Sequence, residues 1–384
     1  MIGYCKRCLT PDTWPDAVFD QEGVCLPCRV AETMEDIDWN ERLNELHRIG
    51  KWGRDHSHSH YDCIVGVSGG KDSTRQAFYV RDELGLNPLL VCCTYPPEEM
   101  TERGAHNLAN LAECGFDLHV VSPAPVVSKK LMNYSLHQHG NLFRATELAL
   151  YATLPQTAIS YGIPLIFLGE NPSLTFGGKV GSFDSDANNQ RSHNTLGGAK
   201  VADWLPAGVK ISELVPYCYP DEWEFDKADI RIVYLGYFMR DFNDIVNTDF
   251  ALNHGLEPRI GDDANPEWTG SINPADALDE EFVHINQFFK YLKLGYGKVT
   301  QQASVKVRHG QITRDEGIEL VRKYDGKCNE IYLDKLANYL DIPRSELDDL
   351  IASYRNKDLW HLNNHGEWEL KEAIYSHNNA ESVW

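Results

Sequence analysis

The chain has 384 residues, 42% of them hydrophobic and 24% charged, a composition typical of a folded globular protein with room for two domains. Its formal net charge of −21 opposes binding to nucleic acid, and the sequence contains no basic patch that would overcome this repulsion. No stretch approaches the roughly 18 consecutive apolar residues of a membrane span, and the N-terminus lacks an apolar signal segment, so we expect a cytoplasmic protein.

The N-terminal segment contains two Cys-x-x-Cys pairs, Cys5 with Cys8 and Cys25 with Cys28. Each such turn presents two thiolates to the same tetrahedral metal ion, so four cysteines at this spacing predict a closed zinc site. An iron–sulfur cluster accepts the same ligands and remains the alternative. Because so short a segment cannot build a core of its own, we predict a ribbon over residues 1–35 whose folding depends on the metal.

A helix-period pattern between Ile37 and Ile49 predicts a helical linker over residues 36–60, which ends in the polar sequence HSHSH. From residue 61 the pattern alternates between strand and helix. Strands are predicted at 62–67, 89–95, 117–122 and 164–170, with helices at about 72–85, 101–114 and 144–161. This alternation predicts an α/β domain over residues 61–256, built on a doubly wound parallel sheet whose ligands bind beyond the carboxyl ends of the strands.

The remainder of the chain changes character twice. Residues 171–216 are rich in Gly, Ser, Asn and Asp and mostly lack a period, which is typical of a functional or disordered loop. From about residue 257 the pattern predicts a helical C-terminal region over residues 257–384. Its helices are predicted at 279–294, 314–324, 329–339, 343–355 and 366–377, the second of them with Thr313 as its N-cap.

The sequence VSGGKDS (residues 67–73) lies where the first strand of the α/β domain meets its first helix. It is not a Walker A loop, because only three residues separate Gly66 from Gly70 and Asp72 replaces the hydroxyl that would bind Mg²⁺. The glycine spacing also excludes the dinucleotide fingerprint. Two adjacent glycines let the backbone close around phosphates, and the helix that follows directs its first amides at them. A tight glycine-rich turn without a ligand is the simpler alternative.

The pattern Ser-Gly-Gly-x-Asp-Ser at the end of a first strand resembles the PP-loop of the ATP pyrophosphatases. The resemblance implies the adenine nucleotide alpha hydrolase-like fold, a loop that binds the β,γ-pyrophosphate of ATP, and cleavage of ATP to AMP and PPi. The implied catalytic residues are Lys71, Asp72 and Ser73. Asp72 would hold Mg²⁺, and Lys71 would neutralise charge on the α-phosphate.

Positions at the predicted strand ends add further candidates to this nucleotide site. Thr94 ends the second strand and would meet the adenosine. Glu170 and Asn171 end the fourth strand and would complete the Mg²⁺ or nucleotide site, although capping of a loop explains them equally well. The nucleotide-binding residues expected are Val67, Ser68, Gly69, Gly70, Lys71, Asp72, Ser73, Thr94, Gly169, Glu170 and Asn171, and those expected to bind Mg²⁺ are Asp72 and Glu170.

Longer stretches at residues 5–28, 62–98 and 162–177 look like the N-acetyl sugar amidotransferases of surface-polysaccharide synthesis, which act in pseudaminic acid and lipopolysaccharide sugar pathways. The resemblance runs over most of the chain, to residue 326, but residues 301–304 and 307–308 depart from the family pattern and receive no role. It implies that ATP adenylates the amide oxygen of a nucleotide-linked N-acetyl sugar. Ammonia then displaces AMP, which converts the acetamido group to an acetamidino group.

The ammonia is expected from another protein. The first cysteine belongs to the ribbon, and Cys92 and Cys93 lie within an apolar strand where burial is the simplest explanation for them, so the sequence shows no glutaminase nucleophile. The family and this absence imply a separate glutaminase subunit.

The candidates for binding the sugar nucleotide are polar residues near the same rim, with ordinary solvated loop residues as the alternative interpretation. They are Arg144, Thr146 and Glu147 at a helix start, and Arg191 and Asn194 in the long polar loop. The alternative function is that of a PP-loop tRNA-modifying enzyme of the thiolation type. The negative charge and the apolar strand around Cys92 and Cys93 oppose it.

Overall fold

The structure is a computed structural model that describes residues 2–175, 177, 183–191 and 200–376. Asn194 lies outside these residues, and only the backbone of Arg191 is described. The helices run, in chain order, over Leu26–Thr33 (α1), Trp39–His56 (α2), Lys71–Phe78 (α3), Glu102–Glu113 (α4), Pro125–His139 (α5), Arg144–Tyr161 (α6), Pro172–Thr175 (α7), Glu222–Lys227 (α8), Asp244–Asn253 (α9), Pro266–Thr269 (α10), Val283–Leu294 (α11), Lys298–Arg308 (α12), Arg314–Tyr324 (α13), Glu330–Leu340 (α14) and Arg344–Tyr354 (α15). The strands run over Cys63–Gly66 (β1), Pro88–Cys93 (β2), Asp117–Val121 (β3), Leu165–Leu168 (β4), Arg231–Tyr234 (β5), Trp360–Leu362 (β6) and Trp368–Leu370 (β7).

A parallel sheet forms the centre of the α/β part, and within the described residues it has five strands in the order β3-β2-β1-β4-β5. Strands β1, β2 and β4 are apolar along almost their whole length because helices cover both faces of the sheet. The chain proceeds outward from β1 to β3 and then returns to place β4 on the other side of β1. The doubly wound parallel sheet is therefore confirmed, and its switch point lies between the carboxyl ends of β1 and β4, where such sheets bind ligands.

Several elements of this part were not predicted, namely strand β5 and helices α5, α7, α8 and α9. Strand β5 has four residues, and its first residue, Arg231, is exposed, which shortens the apolar run by which a buried strand is recognised. Helix α5 buries one face, but Ser128 and Ser135 lie on that face and Val126 is exposed, so its sequence lacks the clean apolar stripe by which a surface helix is recognised.

The helical C-terminal region is confirmed through α15, and Thr313 caps α13 as expected, its side chain accepting from the Glu316 amide. The helix predicted at 366–377 is wrong. The chain instead forms an antiparallel hairpin of β6 and β7, because Gly366 adopts a φ of +78° and lets the chain reverse between the two strands. Helix α12 was also missed.

The N-terminal segment packs against this C-terminal region. Ile2 and Leu9 are buried in one apolar cluster with Val299 of α12 and Ile318 of α13. The predicted ribbon is smaller than expected: Tyr4 pairs with Pro11 and Phe19 with Cys25 as isolated bridges, and α1 follows immediately after Cys25. Contacts far apart in the sequence thus hold the two ends of the chain together.

Candidate functional site

The SGGKDS loop (residues 68–73) connects β1 to α3 at the switch point of the sheet. Gly69 has a φ of +81°, and a Cβ atom there would lie 2.8 Å from the backbone nitrogen of Leu108, so only glycine fits without strain. Gly70 is the N-cap of α3. The Ser73 hydroxyl donates to the Gly70 carbonyl at 3.0 Å and accepts from the Ser68 amide at 3.3 Å. These bonds fix a tight loop over the amino end of a helix, a geometry suited to binding an anion.

Lys71 is buried beneath this loop among three carboxylates. Its ammonium nitrogen lies 3.0 Å from Oδ1 of Asp244, 3.2 Å from Oδ1 of Asp276 and 3.3 Å from Oδ2 of Asp72. Burial by itself would lower the pKa of Lys71, but the three carboxylates outweigh it and raise the pKa well above its ordinary value. Lys71 is therefore a fixed positive charge at the switch point.

Asp72 points to the same region and is held by a polar chain. The Asn247 side-chain amide donates to Oδ1 of Asp72 at 2.6 Å, and Arg75 donates to the Asn247 carbonyl oxygen at 2.9 Å. Glu170 follows β4 across the switch point. Burial and then the Asp72 carboxylate raise the pKa of Glu170, and the two residues follow the adjacent strands β1 and β4.

The polar network extends from Asp276 into the C-terminal region. Lys298 lies 2.6 Å from Oδ2 of Asp276, and Gln302 donates to the same oxygen at 3.1 Å. Burial would raise the pKa of Asp276, but Lys298 and Lys71 together lower it below its usual range. Sequence reasoning missed Asp244, Asp276 and Lys298 and assigned no role to Gln302.

The other expected nucleotide residues lie near the loop, mostly engaged in local structure. Val67 donates its amide to the Val91 carbonyl, and Thr94 donates its amide to Val121. A Cβ atom on Gly169 would lie 2.6 Å from the side-chain nitrogen of Gln76 on α3. Asn171 is buried and accepts from the Ser173 amide at 3.0 Å, which caps α7.

Three of the five residues expected to bind the sugar nucleotide lie in the first turn of α6: Arg144, Thr146 and Glu147. Thr146 is buried, and the carboxylate of Glu147 contributes to raising the pKa of Tyr95, after burial and the larger contributions of Asp279 and Glu280. Arg144 and Glu147 both make further interactions. This turn therefore lies beside the segment that follows β2, at the same edge of the sheet as the SGGKDS loop.

The cysteine cluster (Cys5, Cys8, Cys25 and Cys28) is a separate candidate metal site. All four sulfur atoms are buried and lie within 4.8 Å of one another. The sulfurs of Cys5 and Cys28 are 4.0 Å apart, and those of Cys8 and Cys25 are 3.6 Å apart. Zn–S bonds of about 2.3 Å in a tetrahedron place sulfur atoms about 3.8 Å apart, so the four residues fit a zinc ion.

Backbone amides and a cation surround these sulfurs. The amides of Arg7 and Cys25 donate to Sγ of Cys5 at 3.4 and 3.3 Å. Arg308 of α12 faces the cluster, and the thiolates raise the pKa of its guanidinium despite burial. Arg314 of α13 donates to the backbone carbonyls of the first cysteine turn. The cysteine cluster therefore joins the N-terminal segment to the C-terminal region. Arg308, which was not a predicted site residue, supplies a positive charge beside its sulfur atoms.

Comparison with known proteins places the C-terminal region most clearly. Residues 277–375 match the family model described as "LPS biosynthesis protein WbpG-like, C-terminal domain". No curated protein matches the chain. One similar solved structure is the NH3-dependent NAD synthetase from Campylobacter jejuni subsp. jejuni NCTC 11168 in complex with the nitrate ion. It has 14% identity, covers 59% of this chain and 100% of its own, and has a TM-score of 0.27, too low to carry an argument.

None of the helices in the described part of the chain has the length and apolar character needed to cross a membrane. The match of residues 277–375 is to a lipopolysaccharide biosynthesis family, which agrees with the surface-polysaccharide context that the sequence motifs indicated.

Proposed function

We propose that this chain is the ATP-dependent synthetase subunit of an N-acetyl sugar amidotransferase. It converts the acetamido group of a nucleotide-linked sugar to an acetamidino group, for a surface polysaccharide such as lipopolysaccharide O-antigen or a pseudaminic-acid-like glycan. One observation carries the proposal: Lys71 of the SGGKDS loop contacts Asp276, and the region similar to lipopolysaccharide biosynthesis proteins begins at the next residue. ATP activation and sugar recognition would thus meet at one point of the fold.

The chemistry requires activation because an amide carbon is a poor electrophile. In the proposed reaction the amide oxygen attacks the α-phosphorus of ATP, and pyrophosphate leaves. The SGGKDS loop would bind the departing pyrophosphate through backbone amides and the hydroxyls of Ser68 and Ser73. Lys71 would stabilise the negative charge that develops at the α-phosphate, because its charge is fixed by the surrounding carboxylates.

The acidic groups beside the loop fit a magnesium ion. Asp72 and Glu170 follow neighbouring strands on the two sides of the switch point, and carboxylate oxygens are the ligands that Mg²⁺ prefers. These two residues would hold it, and the ion would neutralise phosphate charge when bound. Asn247 keeps the Asp72 carboxylate oriented through its 2.6 Å hydrogen bond. The cysteine cluster lies outside this site and would bind zinc as a structural element.

Ammonia would then displace AMP from the activated amide. We propose that a separate glutaminase subunit supplies it. Cys92 and Cys93, the paired thiols of β2, are buried, and burial raises the pKa of both, so neither is suited to be a glutaminase nucleophile. The same property disfavours the tRNA-thiolation alternative, which needs a reactive cysteine to transfer sulfur.

The test is to incubate the purified chain with ATP, ammonium and a panel of nucleotide-linked N-acetyl sugars. We expect AMP and pyrophosphate, together with a sugar product in which one oxygen is replaced by NH, identified by mass spectrometry. Formation of ADP, or turnover only in the presence of tRNA, would contradict the proposal. Omission of each sugar in turn identifies the substrate.

A further inference from the structure

Helix α12 presents a polar face to the SGGKDS loop. Lys298, Gln301 and Gln302 lie at positions i, i+3 and i+4 of this helix, which are neighbours on one face. Lys298 lies 2.6 Å from Oδ2 of Asp276, and Gln302 donates to the same oxygen at 3.1 Å. Oδ1 of Asp276 contacts Lys71 at 3.2 Å. One carboxylate therefore joins the lysine of the loop to the lysine of α12.

A third lysine, Lys290 of α11, reaches the same face of α12. Its ammonium nitrogen donates to Oε1 of Gln301 at 2.7 Å and lies 5.1 Å from the centre of the Tyr296 ring. Tyr296 precedes Lys298 by two residues and Gln301 follows it by three, so the two contacts place the Lys290 ammonium group beside the start of α12. Lys71, Lys298 and Lys290 thus form a lysine row that extends from the loop into the C-terminal region.

Lys290 lacks the counter-ion that a cation removed from water requires. Its side chain is partly buried, and among the described residues no carboxylate forms an ion pair with it. Gln301 and the Tyr296 ring stabilise the ammonium group but bring no negative charge. Burial and then the positive charge of Lys298 lower the pKa of Lys290 to about 7. An anion bound beside Lys290 would offset the cost of burying it.

The two carboxylates that act on Lys290 most strongly are committed to other donors. Asp325 accepts from the amides of Gly297 and Thr300 and from the Thr300 hydroxyl, at 2.6–3.2 Å, and so caps the start of α12. Asp276 is bound by the two other lysines of the row. Both carboxylates oppose the lowering of the Lys290 pKa, but neither forms an ion pair with it. An external anion is therefore the group that would complete the lysine row.

We propose that Lys290 and Lys298 bind the diphosphate of the nucleotide-linked sugar. This inference rests on the proposed function and assigns that substrate a place in the C-terminal region. In such a sugar only a few bonds separate an acetamido group from the phosphate on the anomeric carbon. An acetamido group held at the SGGKDS loop for adenylation would therefore leave its diphosphate beside the rest of the lysine row. Each phosphate is negatively charged, and lysine ammonium groups bind phosphate as point charges.

The phosphates of ATP are the other source of the same chemistry. The SGGKDS loop already offers them backbone amides, two serine hydroxyls and Lys71 at the amino end of α3. Lys290 and Lys298 lie instead within residues 277–375, the region that matches lipopolysaccharide biosynthesis proteins. Asp276 contacts Lys71 through one oxygen and Lys298 through the other, so it separates two positively charged positions. This arrangement offers one such position to each of the two substrates.

Diphosphate binding can be measured without turnover, by isothermal titration calorimetry of the full chain with UDP, GDP and ATP. Lys290→Met should fold, because it removes a cation without a counter-ion. We expect it to weaken binding of the nucleoside diphosphate that the wild type prefers by about tenfold or more, since a bond between charged groups is lost, and to leave ATP binding unchanged. Lys306→Met, about 12 Å further along the axis of α12 than Lys298, is the matched control and should bind all three probes as the wild type does.

Three results of this titration would overturn the proposal. They are a wild-type chain that binds neither nucleoside diphosphate, an unchanged affinity in Lys290→Met, and an equal loss of ATP affinity in that variant, which would assign the lysines to the ATP site. If Lys290 is needed for diphosphate binding but the wild-type chain converts no sugar, the proposed function fails and the anion site stands.

Gln301→Glu separates phosphate binding from a structural role of Lys290. The variant places a carboxylate oxygen where Lys290 now contacts a neutral amide oxygen. This internal anion should raise Tm, because it supplies the missing counter-ion. It should also weaken nucleoside diphosphate binding by about tenfold or more, because it occupies Lys290 and repels phosphate. A Gln301→Glu chain with wild-type affinity for the diphosphate would contradict the proposal, since phosphate would then bind without Lys290.

Discussion

Lys71→Met removes the only cation in direct contact with both Asp72 and Asp244 among the described ion pairs. Each contact of about 3.2 Å corresponds to about 5 kcal/mol of attraction at an effective dielectric constant of about 20. Desolvation of the buried ammonium group, at several kcal/mol, offsets much of that sum. Breaking a buried ion pair from one side costs about 3–5 kcal/mol. For Lys71→Met we expect the free energy of unfolding to fall by about 3 kcal/mol, the lower end of this range. The reason is that Asn247, Asn273 and Lys298 still bind the three carboxylates.

The pH dependence of this loss follows from the charges that remain. In the wild type the pKa of Lys71 is raised, so its ion pairs stabilise the fold fully at any pH below the unfolded pKa of about 10.4. Their contribution to the free energy of unfolding is therefore complete at neutral pH. In Lys71→Met the three neighbouring carboxylates lose their shared positive charge and repel one another, and protonation relieves this repulsion in the folded variant. The folded variant then takes up protons as the pH falls. We therefore expect the difference in the free energy of unfolding between the wild type and Lys71→Met to be smaller at pH 5 than at pH 7.5.

The assay is urea denaturation followed by tryptophan fluorescence at both pH values. Lys51→Met, at an exposed lysine paired with Asp55, is the matched control and should unfold as the wild type does. Lys71→Arg, which keeps the charge, should recover part of the stability. A loss below about 1 kcal/mol at pH 7.5, or a loss that is the same at both pH values, would refute the assigned role of the three carboxylates.

Three further predictions concern the metal, the loop and the acidic residues. Cys5→Ser should lose bound zinc and unfold more readily, whereas Cys114→Ser, outside the cysteine cluster, should keep its zinc; equal zinc content by elemental analysis would contradict a metal site. Gly69→Ala should lower the free energy of unfolding by about 1–3 kcal/mol, because alanine is strained at the φ of +81° found there. Gly70→Ala, at a φ of −81°, should keep the wild-type free energy of unfolding. Asp72→Asn and Glu170→Gln should each reduce AMP release by about a hundredfold or more without loss of folding, and normal rates in both would remove them from the site.

The sequence predicted those features whose cause is local. The spacing of the four cysteines places their sulfurs on two tight turns, and the structure brings all four within 4.8 Å. The helices at 144–161 and 314–324 have the predicted bounds, because apolar periodicity and capping residues act within a few turns of the chain. The hairpin at 360–370 escaped prediction because two three-residue strands leave too short a pattern.

The sequence by itself determined the parallel α/β arrangement, the SGGKDS loop and the cysteine cluster, because each depends on residues that lie close together in the sequence. Only the tertiary structure decided which partners complete them. Asp244 and Asp276 reach Lys71 from far along the chain, and Arg308 approaches the cysteine cluster from α12. Such contacts follow from how helices and strands pack. A side chain that reaches a site far away in the sequence produces no recognisable pattern among its own neighbours, so the sequence does not predict it.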